Sequence, residues 1–299
     1  MGKIVVIGSS NTDMVVKAPK IPVPGETILG GEFFMNPGGK GANQAVAAAR
    51  LGGDVVFVGK IGNDMFGKQA LESLSKENIN VKYVLTDPKK ASGVALITVD
   101  EKGENSIVVA PGSNNALVSN DLKTIMDILD EASVVLMQLE IPMQTIEFMA
   151  KKAKEKGVHV VLNPAPAAEL SDELIKHLDM ITPNETEAEI LTGVKVNDMA
   201  SAYNAAEILY NKGVKNIVVT LGQMGAVFFN GSKKLHVPGN KVKAVDTTAA
   251  GDTFTGALVV AFSKGEPIEK AIEFANKAAA ISVTRMGALA SIPYIHELK

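Results

Sequence analysis

The sequence contains no cysteine and no tryptophan, and aromatic residues make up only 5% of its 299 positions. The absence of cysteine excludes disulfides, thiolate nucleophiles and cysteine-ligated zinc sites. Basic residues are not in excess, since the net charge is −3, so the chain offers no basic surface for nucleic acid or anionic lipid. No run of about 18 apolar residues occurs that could span a membrane. We therefore expect a cytoplasmic protein with no nucleic-acid or membrane partner.

Short apolar runs alternate with amphipathic segments along most of the chain, which is long enough to bury a large core. Continuous apolar strands separated by helices are typical of a parallel sheet covered on both faces. We therefore predict an α/β fold, a three-layer α/β/α sandwich with a mainly parallel central sheet. The predicted strands are 4–7, 55–58, 134–139, 158–162, 180–182 and 217–221. The predicted helices include 41–51, 65–76, 120–130, 142–156 and 199–211.

Two stretches interrupt this alternation. Residues 13–36 are rich in proline and glycine and contain β-prone pieces at 14–17 and 27–34. Residues 91–110 have the pattern of a hairpin with a turn at 100–103. Because neither stretch fits a βα unit, we predict that they form a small antiparallel β lid over one edge of the main sheet. The α/β domain would then comprise residues 1–12, 37–90 and 111–299.

The most informative segment is a loop of small residues that begins at Asp246 and leads, at Asp252, into an amphipathic helix. Small residues before a helix let backbone N–H groups contact an anion closely, whereas a carboxylate there would repel phosphate. One hypothesis is that Asp252 takes a proton from an acceptor alcohol while neighbouring N–H groups hold a phosphoryl group. The alternative is an ordinary first-turn aspartate that stabilises the helix.

Polar residues follow several predicted strands at their carboxyl ends, the edge where open α/β sheets bind ligands. A glycine-rich turn at 37–44 adds Lys40 and Asn43 as donors to hydroxyl groups, although it lacks the third glycine of a dinucleotide fingerprint. Each residue alone could be a helix cap or a turn residue. Together they indicate a site for a small polar ligand and a phosphate donor. The strand-end set comprises Asn11, Asp13, Glu140, Asn163, Asn184, Glu187, Thr220, Gly222 and Gly225.

Several motifs, in order along essentially the whole chain, resemble those of the ribokinase-like superfamily of carbohydrate and nucleoside kinases. They lie at 8–13, 38–45, 136–140, 162–166, 182–189, 220–222 and 246–252. The turn at 38–45 and the block at 246–252 are the most specific. The superfamily often has Gly-Ala-Gly-Asp where this chain has Ala249-Ala250-Gly251-Asp252. Alanine still supplies a backbone N–H, so the resemblance implies that the anion hole is kept.

The resemblance implies ATP-dependent phosphorylation of D-ribose at O5. Asp252 would be the general base, and the N–H groups of Ala249, Ala250 and Gly251 would neutralise charge on the phosphoryl group. The implied sugar contacts are Asn11, Asp13, Gly39, Lys40, Asn43, Glu140 and Asp252. The implied nucleotide contacts are Asn184, Thr220, Gly222, Gly225, Gly251 and Asn276.

The resemblance also implies two kinds of metal ion and a homodimer. Glu187 would help to hold Mg²⁺ through water, as that ion prefers. The lid would form the dimer contact. K⁺ or another monovalent cation would bind, mostly through carbonyl oxygens, beside Asp246, Thr248, Ser282, Arg285, Gly287 and Ser291.

Two other functions stay open at this point. A sibling kinase would act on deoxyribose, fructose, another pentose or a nucleoside. A catalytically silent sugar sensor could use the same fold, although a pure binder has no need of Asp252 as an unpaired acid facing a phosphate. A dehydrogenase is disfavoured because the dinucleotide fingerprint is missing.

Overall fold

The computed structural model describes residues 2–29 and 31–298. Met1 and Lys299, at the ends of the predicted α/β domain, and Gly30, in the predicted lid segment and strand 27–34, lie outside the described residues. The strands form two sheets, one of nine strands and one of four.

The larger sheet contains β1 (Lys3–Ile7), β4 (Val55–Gly62), β5 (Asn80–Asp87), β8 (Ala132–Met137), β9 (His159–Leu162), β10 (Met180–Ile181), β11 (Asn216–Thr220), β12 (Ala226–Phe229) and β13 (Lys234–Val237). Their order across the sheet is β13-β12-β11-β10-β9-β8-β1-β4-β5. The pairings from β11 through β5 are parallel, whereas β12 pairs with both of its neighbours in antiparallel fashion. The prediction of a mainly parallel sheet is confirmed.

Helices cover both faces of this sheet: α1 (Lys40–Arg50), α2 (Met65–Lys76), α3 (Ser119–Leu122), α4 (Met143–Glu155), α5 (Asp172–His177), α6 (Glu185–Thr192), α7 (Met199–Lys212), α8 (Ala250–Ser263) and α9 (Ile268–Ser282). Successive residues of β1 point to opposite faces. Ile4 and Val6 join the core formed with α1, α8 and α9, and Val5 and Ile7 join the core formed with α4 and α7. The predicted three-layer sandwich is therefore confirmed. No helix within residues 2–29 and 31–298 combines the length and the apolar character that crossing a bilayer requires.

The smaller sheet contains β2 (Asn11–Lys17), β3 (Glu32–Gly38), β6 (Gly93–Val99) and β7 (Asn105–Ala110), in the order β3-β2-β6-β7. The two outer pairings are antiparallel, and the central pairing of β2 with β6 is parallel. The lid sheet is thus present and takes its strands from the two predicted stretches. The exact division of the chain into lid and α/β domain stays a prediction.

Two of the predicted elements differ from the structure, which also contains three strands that the sequence did not predict, β5, β12 and β13. The helix predicted at 120–130 is wrong as a single helix, because Ile125 leaves helical geometry (φ −125°, ψ 20°). Helix α3 ends at Leu122, and a 3₁₀ helix, Lys123–Asp130, follows it. The strand predicted at 27–34 is displaced, since β3 begins at Glu32 and Leu29 is left 92% exposed, without a sheet partner.

Helices α1 and α8 pack very closely and both begin at the carboxyl edge of the sheet. A Cβ on Gly256 of α8 would stand 2.6 Å from Ala47 Cβ and 2.9 Å from the Gln44 carbonyl oxygen of α1. A larger residue at Gly256 would therefore push the helices apart. This contact sets the distance between the side chains of the two helix N-termini.

Candidate active site

Asp252 lies in the first turn of α8, and only 7% of it is exposed. Its Oδ1 accepts a hydrogen bond from Gln44 Nε2 at 2.9 Å, and its Oδ2 accepts one from Asn43 Nδ2 at 2.9 Å. The sequence-based description of Asp252 as an unpaired acid is therefore wrong, because two amides of α1 hold it. It still lines a polar cavity together with Lys40 and Glu187.

The turn before α8 carries the backbone N–H groups expected to bind an anion. Ala249 adopts the left-handed conformation (φ 59°, ψ 12°), which costs a non-glycine residue about 1–2 kcal/mol. The N–H of Ala250 donates to the Thr247 carbonyl oxygen at 3.2 Å. The expectation of three available donors is therefore wrong for Ala250. The N–H groups of Ala249 and Gly251 have no backbone acceptor within the part of the chain that the structure describes.

The polar cavity combines one buried cation with carboxylates. Burial opposes the charge of Lys40, but the charges of Asp252, Glu140 and Glu187 outweigh it and raise the pKa of Lys40. Burial also raises the pKa of Glu187, against hydrogen bonding from Asn184 and the charge of Lys40. Glu187 and Asn184 form a reciprocal cap at the start of α6, with side-chain contacts of 2.8–3.0 Å. Asn184 therefore faces this cavity and holds Glu187 in place.

A second pocket lies between the lid and the sheet edge. Asn11 from β2 and Val109 from β7 line it on the lid side, and Glu140 lines it on the side of the main sheet. The Glu140 carboxylate accepts hydrogen bonds from Ser9 Oγ at 2.5 Å and from the Lys40 backbone N–H at 2.9 Å. Two of the residues implied as sugar contacts, Asn11 and Glu140, line this pocket, whereas Lys40 and Asp252 line the polar cavity.

Glycines 38 and 39 let the chain pass close to this pocket. A Cβ on Gly38 would stand 2.2 Å from Asp13 Oδ2, and a Cβ on Gly39, whose φ is +90°, would stand 2.7 Å from the Asn11 backbone nitrogen. The turn therefore packs directly against the polar residues of β2.

A third, mainly apolar pocket meets the polar cavity at the start of α8. The two share Thr220, Ala250 and Gly251. Asn276 lies at the apolar pocket and donates through Nδ2 to the carbonyl oxygens of Val237 and Pro238 at 3.2 and 3.1 Å. Its lining also includes Gly222, Gly225, Val242, Phe254, Ala280 and Val283.

The residues expected around a monovalent cation lie on two segments joined by Asp246. Its Oδ1 accepts from the Thr248 backbone N–H at 2.9 Å, and its Oδ2 accepts from the Gly287 N–H at 2.8 Å. Although burial opposes it, hydrogen bonding from Thr248 and Gly287 lowers the pKa of Asp246. Arg285 forms an ion pair with Glu297. The Ser282 and Ser291 hydroxyls donate to the carbonyl oxygens of Ala279 and Ala288.

No cluster of three or more His, Cys, Asp or Glu side chains suited to a metal occurs in residues 2–29 and 31–298. A cation beside Asp246 would therefore depend on backbone carbonyl and hydroxyl oxygens, together with this one carboxylate.

The sequence assigned no role to several residues that the fold brings to the site, although Thr182 and Thr247 lie within the motif segments. The polar cavity is also lined by Thr182, Thr247 and Thr255, and the lid pocket by Asn114. Asn114 Nδ2 donates to Asn11 Oδ1 at 2.8 Å. Threonine and asparagine are common at turns and caps, so nothing in their local pattern marks them out.

The sequence profile described as "pfkB family carbohydrate kinase" matches residues 1–295. The chain belongs to the pfkB family of carbohydrate kinases. The family resemblance predicted from the motifs is thereby confirmed, and with it the kinase class of the chain.

Individual relatives of this pfkB chain match it nearly end to end. A ribokinase of Haemophilus influenzae is 46% identical over 290 residues, which is 97% of this chain and 95% of the relative. A deoxyribokinase of Salmonella typhi is 38% identical over 98% of this chain and 96% of its own length. The structure of an Arabidopsis thaliana ribokinase complexed with ribose and ATP superposes with a TM-score of 0.94 at 34% identity, covering 99% of this chain and 97% of that one.

Asp13 is the carboxyl whose pKa is raised most clearly above its usual value. Burial, followed by the charges of Glu140 and Asp252, raises its pKa from 3.8 to about 6. At pH values between 3.8 and about 6, the Asp13 carboxyl is protonated in the folded state and ionised in the unfolded chain. The contribution of Asp13 to the free energy of unfolding therefore decreases as pH rises through this interval.

We expect Asp13→Asn to remove this dependence. As pH rises from about 5 to about 7, the unfolding free energy of the parent should fall by about 1 kcal/mol relative to that of the variant. Only the parent has to ionise the Asp13 carboxyl in this interval. Urea unfolding at both pH values measures the difference, with Asp127→Asn at an exposed position as the control. A gap between variant and parent that stays constant with pH would contradict the prediction.

Proposed function

We propose that this pfkB kinase transfers the terminal phosphoryl group of ATP to O5 of D-ribose, giving D-ribose 5-phosphate and ADP. The observation that carries the proposal is the position of Asp252 at the start of α8. It faces the polar cavity, and Asn43, one of its two amide partners, is a proposed contact of the sugar under the lid. The Arabidopsis ribokinase complexed with ribose and ATP supports the choice of both substrates.

In this proposal the lid pocket binds the sugar. The hydroxyl groups of the sugar would be held by Asn11, Asp13, Gly39, Asn43 and Glu140, which supply both hydrogen-bond acceptors and donors. The lid strands would cover the sugar and exclude water, which otherwise competes as acceptor of the phosphoryl group.

The nucleotide would occupy the other two pockets. The apolar pocket suits a nucleobase, with Gly222, Gly225 and Asn276 at its wall. The phosphates would extend past Asn184 and Thr220 toward the N–H groups of Ala249 and Gly251, where the helix dipole also favours negative charge. Lys40 lines this cavity, so its charge would act on the phosphates as well as near the sugar.

The chemical step follows from this alignment. Asp252 accepts the proton of the O5 hydroxyl as O5 forms its bond to the terminal phosphorus, and the bond from that phosphorus to the ADP oxygen breaks. The N–H groups at the start of α8 and the Lys40 ammonium stabilise the charge on the transferred group.

The oxygen ligands near the polar cavity fit Mg²⁺, and those near Asp246 fit a monovalent cation. Glu187 presents a carboxylate to the cavity, a hard oxygen ligand that Mg²⁺ accepts directly or through water. Thr248, Ser282, Arg285, Gly287 and Ser291 lie on the two segments joined at Asp246 and would supply carbonyl oxygens to the cation. Such ions supply positive charge beside the phosphates when bound.

Asp252→Asn should reduce turnover by about 10²–10⁴-fold while sugar binding stays measurable, because the amide keeps the shape of the side chain but accepts no proton. ADP release with ATP, MgCl₂, KCl and a panel of ribose, deoxyribose, fructose and adenosine measures it, and calorimetry measures binding. Asp172→Asn, at an exposed first-turn aspartate of α5, is the matched control.

Two outcomes would overturn parts of the proposal. Full turnover in Asp252→Asn would remove Asp252 as the base. A parent enzyme that prefers deoxyribose, fructose or adenosine would overturn the sugar assignment, and a parent that binds ribose without releasing ADP would identify a sensor.

The monovalent cation has its own test. Replacing K⁺ with choline should lower kcat and the melting temperature of the parent. In Asp246→Asn the same replacement should change neither quantity, because the carboxylate charge at position 246 is lost. Lys233→Ala, at an exposed position, should keep the parent's response. Indifference of the parent's melting temperature to the cation would contradict the site.

The proposed homodimer rests on an exposed apolar face of the lid. Asp13 and Val109 belong to the opposite face of the lid sheet, which is turned toward the main domain. Because side chains alternate between the two faces along a strand, the apolar residues point away from the main domain. Leu96 and Val108, directly opposite each other on β6 and β7, are 52% and 64% exposed, and Phe33 is 60% exposed. A patch of this kind marks an interaction site in a folded protein.

A cytoplasmic location stays a prediction from composition.

Leu96→Lys should convert the dimer to monomers, because a buried charge at the interface would lose its hydration without a partner. Ile190→Lys on α6, where the parent residue is 51% exposed, is the matched control and should leave the mass unchanged. Sedimentation equilibrium measures both. A parent protein that sediments as a monomer would refute the dimer.

A further inference from the structure

Gln44 is a fully buried amide behind Asp252, and it lines none of the three pockets of the site. Its Nε2 donates to Asp252 Oδ1 and to Asn163 Oδ1, each at 2.9 Å. Its Oε1 accepts from Gln138 Nε2 at 2.6 Å. Both amide hydrogens and the carbonyl oxygen of Gln44 are therefore engaged.

The hydrogen-bonding capacities of the partners leave one orientation for these amides. A carboxylate only accepts, so Gln44 must turn its nitrogen toward Asp252 and its oxygen toward Gln138. Gln138 must then present its own nitrogen, and its buried Oε1 finds no partner within residues 2–29 and 31–298. The hydrogen bonds consequently run in one direction, from Gln138 through Gln44 to Asp252.

We propose that Gln44 is a positioning residue that fixes the Asp252 carboxylate for proton transfer from the sugar. This inference rests on the proposed function, in which Asp252 is the general base. Neutral amides suit the task because they orient a carboxylate without cancelling its charge or offering it a proton to compete with that of the sugar.

Asn43 and Gln44 divide the work on the two carboxylate oxygens. Asn43 holds Oδ2 and is also a proposed sugar contact, and its buried Oδ1 has no partner within the described residues. Its hydrogen bonding would therefore change if the sugar reached that oxygen. Gln44 is 0% exposed and already has both amide hydrogens and its oxygen engaged, so its hold on Oδ1 would be the same with and without substrate.

Gln44 also links four parts of the fold that are distant in sequence. Asn163, after β9, accepts from Gln44 and donates through Nδ2 to the Thr182 carbonyl oxygen at 3.0 Å. A purely structural crosslink would show the same contacts. The two roles differ in what they do to kcat relative to KM.

The first test is Gln44→Met, which keeps the length of the side chain and removes its hydrogen bonds. We expect kcat to fall by about 10- to 100-fold, with KM values for ribose and ATP changed by less than about threefold, because a misplaced base slows the step and not the binding. Thr145→Val is the matched control. It removes an equally buried hydrogen bond, from Thr145 Oγ1 to the Leu117 carbonyl oxygen at 2.7 Å, far from Asp252. Its kcat should equal that of the parent.

The second test is Gln44→Glu, whose carboxyl would share a proton with Asp252. The repulsion between two carboxylates makes ionisation of Asp252 harder, so the acidic limb of the kcat–pH profile should move up by about one pH unit or more. The same repulsion acts whether or not Gln44 positions Asp252, so this limb tests Asp252 as the ionising base, and the comparison of kcat with KM tests the positioning role. Gln44→Met should leave the position of the limb unchanged.

A third variant keeps the proposal testable if these variants fold poorly. Gln138→Met leaves Gln44 in place but removes its anchor, and we expect a smaller fall in kcat, with KM values again preserved. An unmoved limb in Gln44→Glu would remove Asp252 as the base on which the positioning role depends, and parental kcat in both Gln44→Met and Gln138→Met would overturn the positioning role itself. If Asp252→Asn is inactive in the same assay, the proposed base survives that result, so the two failures are distinguishable.

Discussion

Helix α8 crosses α1 without a side chain at Gly256, and the two helix N-termini consequently meet at the carboxyl edge of the sheet. Because of that contact, amides at the start of α1 reach the carboxylate at the start of α8, although Gln44 and Asp252 are 208 positions apart in the chain. Both N-termini line the polar cavity, α8 lines the apolar pocket, and the lid pocket is connected to α1 through the hydrogen bond from the Lys40 N–H to Glu140. A small separation of the helices would therefore disturb every part of the site at once.

The electrostatics of the site explain why it would need cations to work. Asp252, Glu140 and Glu187 gather around one ammonium group, that of Lys40, and Asp13 lies near Glu140 and Asp252. Burial first, and the charges of neighbouring carboxylates in addition, raise the pKa values of Asp13 and Glu187. A triphosphate would add further negative charge to the same small volume. Positive charge brought with the nucleotide, together with oriented N–H groups, would lower this repulsion.

Periodicity predicted the layers of the fold because buried strands and amphipathic helices differ in their repeat. It failed for segments whose residue pattern differs from the one expected for the structure that they adopt. The edge strand β5 has several polar and half-exposed positions and looks unlike a buried strand. Ile125 interrupts a segment whose apolar spacing suits a helix. In the site, the motif residues Asp252, Glu187 and Asn43 could be named from the sequence. That Asn43 and Gln44 hold the Asp252 carboxylate could not be predicted, because hydrogen bonds between residues distant in the chain leave no periodic pattern.

The connectivity of the lid has a consequence for folding order. Its central strands, β2 and β6, pair in parallel, and the chain between them forms β3, α1, β4, α2 and β5. Such non-local pairing requires closure of a long loop before any contact rewards it. We expect the lid to assemble only after the first α/β units have formed and to open before them under native conditions. Amide hydrogen exchange faster in β2 and β6 than in β1 and β4 would reveal this, and equal protection would argue against it.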